Sequence, residues 1–216
     1  MESSLHECEV QHPELFLSLG LTEPAKGVLE SPCVLTLLSS VLERNIDKNE
    51  QILGSMKVKE IFTIFHGLRV PNISIRSYVE RIFTYSKCSP SCFVLAYIYI
   101  DRFLQLPDTY LTSLNVHRLL ITSIVVAAKF IDDAFFNNAY YARVGGVSTR
   151  EMNRMELSFL FSLGFKLQVS IGTFRGYCLQ LERDSTSYQI EKPIYRAKDM
   201  VKVSDSYHQQ SVQRCS

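Results

Sequence analysis

Apolar residues recur along the chain at helical spacing, and the stripes they form divide it into elements. Residues 1–28 carry short polar stretches broken at His12-Pro13 and Glu23-Pro24, and residues 1–31 read as a flexible leader. Residues 32–44 (PCVLTLLSSVLER) place Val34, Leu37, Leu38, Val41 and Leu42 on one face, the spacing of an amphipathic helix. The polar run 45–54 then reads as a linker, so 32–58 is expected to be an N-terminal helix and its connection. Pro71-Asn72-Ile73-Ser74 is a turn that ends on a good N-cap, Ser74, because a serine hydroxyl can accept from an unpaired N–H of the first helical turn. After it Ile75, Tyr78, Val79, Ile82 and Phe83 form another stripe. Ser89-Pro90 reads as a cap followed by a first-turn proline. The helix it opens, SCFVLAYIYIDRFL, is apolar nearly all round and is therefore expected at the centre. A third helix is predicted over 116–131, also apolar on most faces.

A short helix over 139–144 stops at Gly145-Gly146. Ser148 and Glu151 have capping-box spacing for a fifth helix over 149–163, with Met152, Met155, Phe159 and Leu163 as its stripe and Gly164 as its stop. That stripe is core rather than a cofactor site, since an amphipathic helix must bury one face in any case. Residues 173–183 are expected to add a helical segment, and 184–216 are polar and aperiodic, a flexible tail. No alternating run long enough for a sheet competes. The expected fold is all-α: a single five-helix domain over 59–165, an extra N-terminal helix, and a helical extension over 166–183.

Composition agrees with a packed soluble protein. Hydrophobic residues make up 46% of the 216, and the 9 Gly and 7 Pro are few for a barrel or sandwich. The net charge of +1 argues against a nucleic-acid partner. Residues 1–9 (MESSLHECE) do not resemble a secretory signal, and the apolar runs 92–100 and 119–128 are too short to span a bilayer. The six cysteines (Cys8, Cys33, Cys88, Cys92, Cys178, Cys215) are expected to be reduced thiols. Cys88 and Cys92 lack a second ligand pair, so no metal site is expected.

Catalytic constellations are missing. There is no G-x-G-x-x-G, Walker lysine loop, H-E-x-x-H or G-x-S-x-G. The five histidines (His6, His12, His66, His117, His208) are dispersed. Asp132 and Asp133 are adjacent in sequence, and adjacent positions on a helix diverge by about 100°. Neither an enzyme nor a cofactor is expected. What stands out instead is charge within apolar helices: Lys129 in VVAAKFIDD and Glu156 in MELSFLF. On physical grounds alone, Lys129 could simply be a cation at a helix C-terminus whose stem reaches water, and Glu156 could lie on a solvated stripe.

Residues 97–104 (YIYIDRFL), 119–133 and 151–163 resemble the second, third and fifth helices of the cyclin box. The likeness is nearest to the plant P-type (U-type) cyclins, which are related to fungal phosphate-signalling cyclins. The fragments FHG (65–67), 74–83, 88–103, 113–123, 140–147 and FRGYC (174–178) occur in the same order, and the likeness covers residues 32–183. It implies a regulatory subunit that binds and activates a cyclin-dependent protein kinase, in cell-cycle or phosphate signalling, located in the nucleus and/or cytoplasm. It also implies that Lys129 and Glu156 contact the kinase. Ile75, Arg76, Tyr78 and Val79 would occupy part of a patch that docks protein substrates, with Ile82 where such cyclins carry a tryptophan. The chain has no Trp. The alternatives are a cyclin-fold adaptor in transcription that contacts DNA, and a kinase binder that does not activate.

Overall fold

The computed structural model describes residues 13–21, 31–56 and 62–186. Among these lie eight helices and no strand: α1 (Pro13–Leu19), α2 (Cys33–Met56), α3 (Ile75–Ser86), α4 (Ser91–Leu104), α5 (Val116–Ile131), α6 (Asn138–Gly145), α7 (Thr149–Ser162) and α8 (Ile171–Thr186). The fold is all-α, with α3 to α7 as the five central helices.

The most apolar segments occupy the middle. Ten of the 14 residues of α4 and 12 of the 16 of α5 are buried, and each fully buried Leu, Ile or Phe contributes about 1.5–3 kcal/mol. Helix α5 packs against α3, α4, α6 and α7, which is why it can afford almost no polar face. Phe65, Phe103 and Phe159 meet with ring centroids 5.1–5.9 Å apart, tying the segment before α3 to α4 and α7.

Local chemistry sets the helix ends. The Ser74 hydroxyl accepts from Ser77 N and opens α3. Ser148 and Glu151 form the reciprocal capping box of α7. Gly146 closes α6 with φ 70°, a left-handed conformation that glycine adopts without steric cost.

Three local expectations change. The polar run 45–54 is no linker: α2 continues to Met56. Its polar residues hold the α4–α5 connection, Asn49 Nδ2 donating to Leu111 O at 3.0 Å and Glu50 Oε1 accepting from Ser113 N at 2.8 Å. Part of the supposed flexible leader is helix α1, which buries Leu15, Phe16 and Leu19. Phe16 lies 6.4 Å from Phe174 of α8, and Ser18 Oγ donates to Glu182 Oε1. The other leader residues (1–12, 22–30) and tail residues 187–216 lie outside the described residues, as do Cys8, Cys215, His6, His12 and His208. Finally, the Ser89 hydroxyl does not cap α4. It donates to Asp132 Oδ1 at 2.7 Å, while Ser89 N donates to Asp132 Oδ2 at 3.0 Å. A carboxylate from the end of α5 therefore serves the N-terminus of α4, where a negative charge is favoured. Cys92 Sγ donates to the same carboxylate at 3.2 Å. Its hydrogen bond with Cys88 and its burial both push the Cys92 thiol up, so it stays protonated and available as a donor.

Candidate functional site

Lys129 lies in the last turn of α5 and Glu156 in the middle of α7, and the packing of these helices brings them together. Lys129 Nζ donates to Glu156 Oε1 at 2.6 Å. Asn138, the first residue of α6, completes a ring: its Oδ1 accepts from Lys129 Nζ at 2.7 Å and its Nδ2 donates to Glu156 Oε2 at 2.6 Å. The same amide donates to Asn153 Oδ1 at 2.8 Å. The lysine neither reaches freely into water nor sits unpaired. Its side chain is 28% exposed and that of Glu156 16%, so both charges are partly desolvated and their attraction is stronger than on an open surface.

The cluster keeps bonding capacity in reserve. An ammonium has three N–H donors, and Lys129 uses two. The Glu156 oxygens each accept one bond and have lone pairs left over. Exposed apolar residues follow Glu156 along the chain. Leu157 (55%), Phe161 (65%) and Phe165 (55%) are exposed, with the Phe161 and Phe165 rings edge-on at 5.2 Å. Phe135 and Phe136, on the loop between α5 and α6, are also exposed, and Phe136 stacks on Tyr140 at 4.0 Å. Exposed apolar area around a few oriented polar groups is the composition of a protein-binding surface.

The structure thus joins Lys129 and Glu156, and adds Asn138 and the exposed apolar residues. Asn138 carries no sequence signal of a role: an Asn at the start of a short helix suggests a cap, and the cap of α6 is Asn137, whose side chain accepts from Tyr140 N. Leu157 and Phe161 were legible in principle, being apolar residues four apart and off the Met152–Met155–Phe159 stripe.

The structure places the residues of the expected substrate-docking patch on a mostly buried face of α3. Ile75, Tyr78 and Val79 are buried, as is Ile82, because that face of α3 is covered by α2, α5 and α6. Only Arg76 is exposed, and it pairs with Glu80 at 3.0 Å. His117 is a core residue, its Nε2 donating to Ile73 O at 3.0 Å, and burial lowers its pKa and keeps it neutral. Among the described residues no cluster of His, Cys, Asp or Glu could hold a metal ion. No described helix is long and apolar enough to cross a membrane.

The described residues form an all-helical module that carries a partly exposed polar clasp and no cluster of metal-binding groups. The sequence profile of the cyclin family matches residues 33–167, a span that includes the clasp and α2 to α7. The chain belongs to the cyclin family. It is 56% identical to Cyclin-P3-1 of Oryza sativa subsp. japonica over 94% of this chain and 86% of that protein. It is 52% identical to Cyclin-U3-1 of Arabidopsis thaliana over 85% and 84% of the two chains, and 52% identical to Cyclin-U4-1 of the same plant over 74% and 82%. Cyclins are regulatory proteins, in keeping with a site that has binding groups and no reacting ones.

Proposed function

We propose that the chain binds and activates a cyclin-dependent serine/threonine protein kinase, with the Lys129–Asn138–Glu156 clasp at the centre of the contact. The observation that carries this reading is the spare capacity of the clasp: one ammonium hydrogen and several carboxylate lone pairs are left over from a closed ring of hydrogen bonds, and α7 and the residues after it also expose Leu157, Phe161 and Phe165. A kinase segment that supplies a backbone carbonyl and an apolar side chain satisfies both. The clasp is assembled before binding, so little side-chain entropy is lost on contact.

In this reading the cyclin supplies no catalytic group. It biases the kinase helix whose glutamate must pair with the kinase's own strand lysine for phosphoryl transfer. It shifts that equilibrium only by its differential affinity for the active arrangement. The signal served, division or phosphate supply, and the compartment, nucleus and/or cytoplasm, follow from the kinase chosen.

Co-purification from plant tissue, with identification of the bound kinase, is expected to recover a cyclin-dependent kinase. The recovered kinase should phosphorylate a standard peptide faster with the chain than without it. Capture without stimulation would leave a binder that does not activate. Full capture by the Lys129→Ala/Glu156→Ala double variant, with its helicity intact, would remove the clasp from the contact.

A further inference from the structure

A second group of polar side chains lies buried where α3 ends, α4 begins and α5 stops. Cys88, in the connection between α3 and α4, is 4% exposed, and Cys92, in the first turn of α4, is 0% exposed. The two thiols are hydrogen-bonded to each other. The Cys92 S–H lies between two acceptors, Cys88 Sγ and Asp132 Oδ2, the latter at 3.2 Å. Cys88 Sγ also accepts from the Ser86 hydroxyl at 3.0 Å. One sulfur is thus met by donors and the other by a carboxylate. Donation from Cys92, and then from Ser86, draws the Cys88 thiol below its ordinary pKa against burial and the Asp132 charge. The same bond and burial push Cys92 up. Two thiols in contact, with their protons held unequally, have the disposition of an attacking sulfur and a resolving partner. The clasp uses neither of them.

We propose that Cys88 and Cys92 form a reversible intrachain disulfide when the chain meets hydrogen peroxide. In the first step Cys88 Sγ attacks one peroxide oxygen. The S–O bond forms and the O–O bond breaks, leaving a sulfenic acid on Cys88 and a hydroxide that takes up the former thiol proton as water. In the second step Cys92 Sγ attacks the Cys88 sulfur. The S–S bond forms, the S–O bond breaks, and the departing hydroxide becomes water with the Cys92 proton, which Asp132 Oδ2 is placed to accept on the way. Two thiols and one peroxide give one disulfide and two waters; the sulfurs are oxidised and the peroxide oxygens reduced. Thiols already in contact need little backbone movement to reach bonding geometry. Access comes through the short α3–α4 connection. Its exposed Lys87 has φ 51°, a left-handed conformation that a residue with a side chain disfavours, so opening there relieves strain, and the oxidant is small. Closing the disulfide takes the Cys92 donor from Asp132, at the end of the helix that carries Lys129. The inference goes beyond kinase binding and does not depend on it.

The test is peptide mapping of the full chain, first reduced, then exposed to hydrogen peroxide, then denatured and alkylated with iodoacetamide. Trypsin releases both cysteines in one peptide, 88–102, since Lys87 precedes it and Arg102 ends it. That peptide is expected to lose two hydrogens and to take up no iodoacetamide. It should do so at least about tenfold faster than Cys178, buried on α8, is oxidised. Dithiothreitol should restore both thiols. Cys92→Ser should stop at the sulfenic acid, so that dimedone labels Cys88. Cys88→Ser should leave Cys92 reduced and unlabelled. The parent chain carries the first readout by itself, so the proposal stays open to refutation even where a variant fails to fold. A peptide that remains fully alkylatable, that passes to sulfinic acid, or that pairs instead with Cys33, Cys178 or a second copy of the chain would overturn it. Dimedone labelling of Cys92 in Cys88→Ser would do the same. Kinase capture enters none of these readouts, so their failure leaves the clasp untouched.

Discussion

Two ion pairs join α5 to α7, and they differ in what they hold. Arg118–Glu151 and Lys129–Glu156 have the same N–O distance, 2.6 Å. Glu151 accepts three bonds from its own chain, from Ser148 N and Ser148 Oγ as well as from Arg118. Arg118 is shared between that carboxylate and Ile64 O. The bonds of this pair thus run to backbone groups of two other segments and hold the N-terminus of α7 against α5 and the segment before α3. The Lys129 pair is supported by one neutral amide and retains a free donor. An ion pair whose bonds run to the backbone of other segments is a structural brace. One bonded to side chains alone, with a donor to spare, is suited to an external partner.

The largest expected effect separates the two pairs. Lys129→Ala should weaken kinase binding by at least ~2 kcal/mol, about 30-fold, because Glu156 is left half-desolvated in the contact. Thermal stability should fall by about 1 kcal/mol, less than the loss in binding, because Asn138 still donates to Glu156. Arg118→Ala should do the reverse. It strands Ile64 O and loosens the capping box, for a loss of about 1–3 kcal/mol in stability, while kinase affinity stays within about twofold. Surface plasmon resonance and denaturant unfolding of both variants give the four values. A similar affinity loss for both would erase the distinction.

Asn138→Ala sharpens it further. The amide bridges both charges of the clasp, so its removal lets the lysine and glutamate sample other rotamers without deleting either. Binding should fall by roughly 1 kcal/mol, about fivefold, mainly through faster dissociation. An unchanged dissociation rate would show that the direct ion pair is rigid enough alone.

Much of this arrangement is legible in the chain itself, for a physical reason. The limits of α5, the Ser74 cap and the Ser148–Glu151 box are local: they depend on residues within one or two turns. For Lys129 and Glu156 the residues allowed two readings, mutual neutralisation or solvation, and resemblance to a family favoured the first. What escaped is non-local. Residues 45–54 look like a linker because their polar side chains are matched to backbone groups 62 or 63 residues away, as for Asn49 with Leu111 and Glu50 with Ser113. Ser89 looks like a cap until Asp132, 43 residues on, claims its hydroxyl. The stripe Ile75–Tyr78–Val79 marks a buried face correctly, and nothing local says which helices cover it.

Smaller effects fall on the brace. Ser148→Ala deletes the hydroxyl that accepts from Glu151 N and donates to Glu151 Oε2. The expected cost is about 1 kcal/mol, measurable as a shift in urea midpoint with an unchanged slope. Kinase binding should not follow it. A parallel fall in binding would mean that the brace positions the clasp, and the two pairs would then be one coupled unit.

The smallest effect is a pH dependence confined to the brace. The Ser148 backbone N–H, then the Ser148 hydroxyl and Arg118, hold the Glu151 carboxyl at about 2, below its ordinary 4.5. A carboxylate with a depressed folded-state pKa binds fewer protons folded than unfolded, so its stabilisation is complete above pH 4.5 and is lost as pH falls toward 2. The Glu151 side chain is 41% exposed, and solvent screening limits the contribution to about 1 kcal/mol at most. Glu151→Gln should therefore be less stable than the parent at pH 7, and the gap should narrow steadily between pH 4.5 and 2. Arg118→Ala should narrow it only in part, because the Ser148 bonds remain. A gap that stays constant through that window would mean that the carboxylate charge adds nothing, and that the brace is held by hydrogen bonds an amide can make equally well.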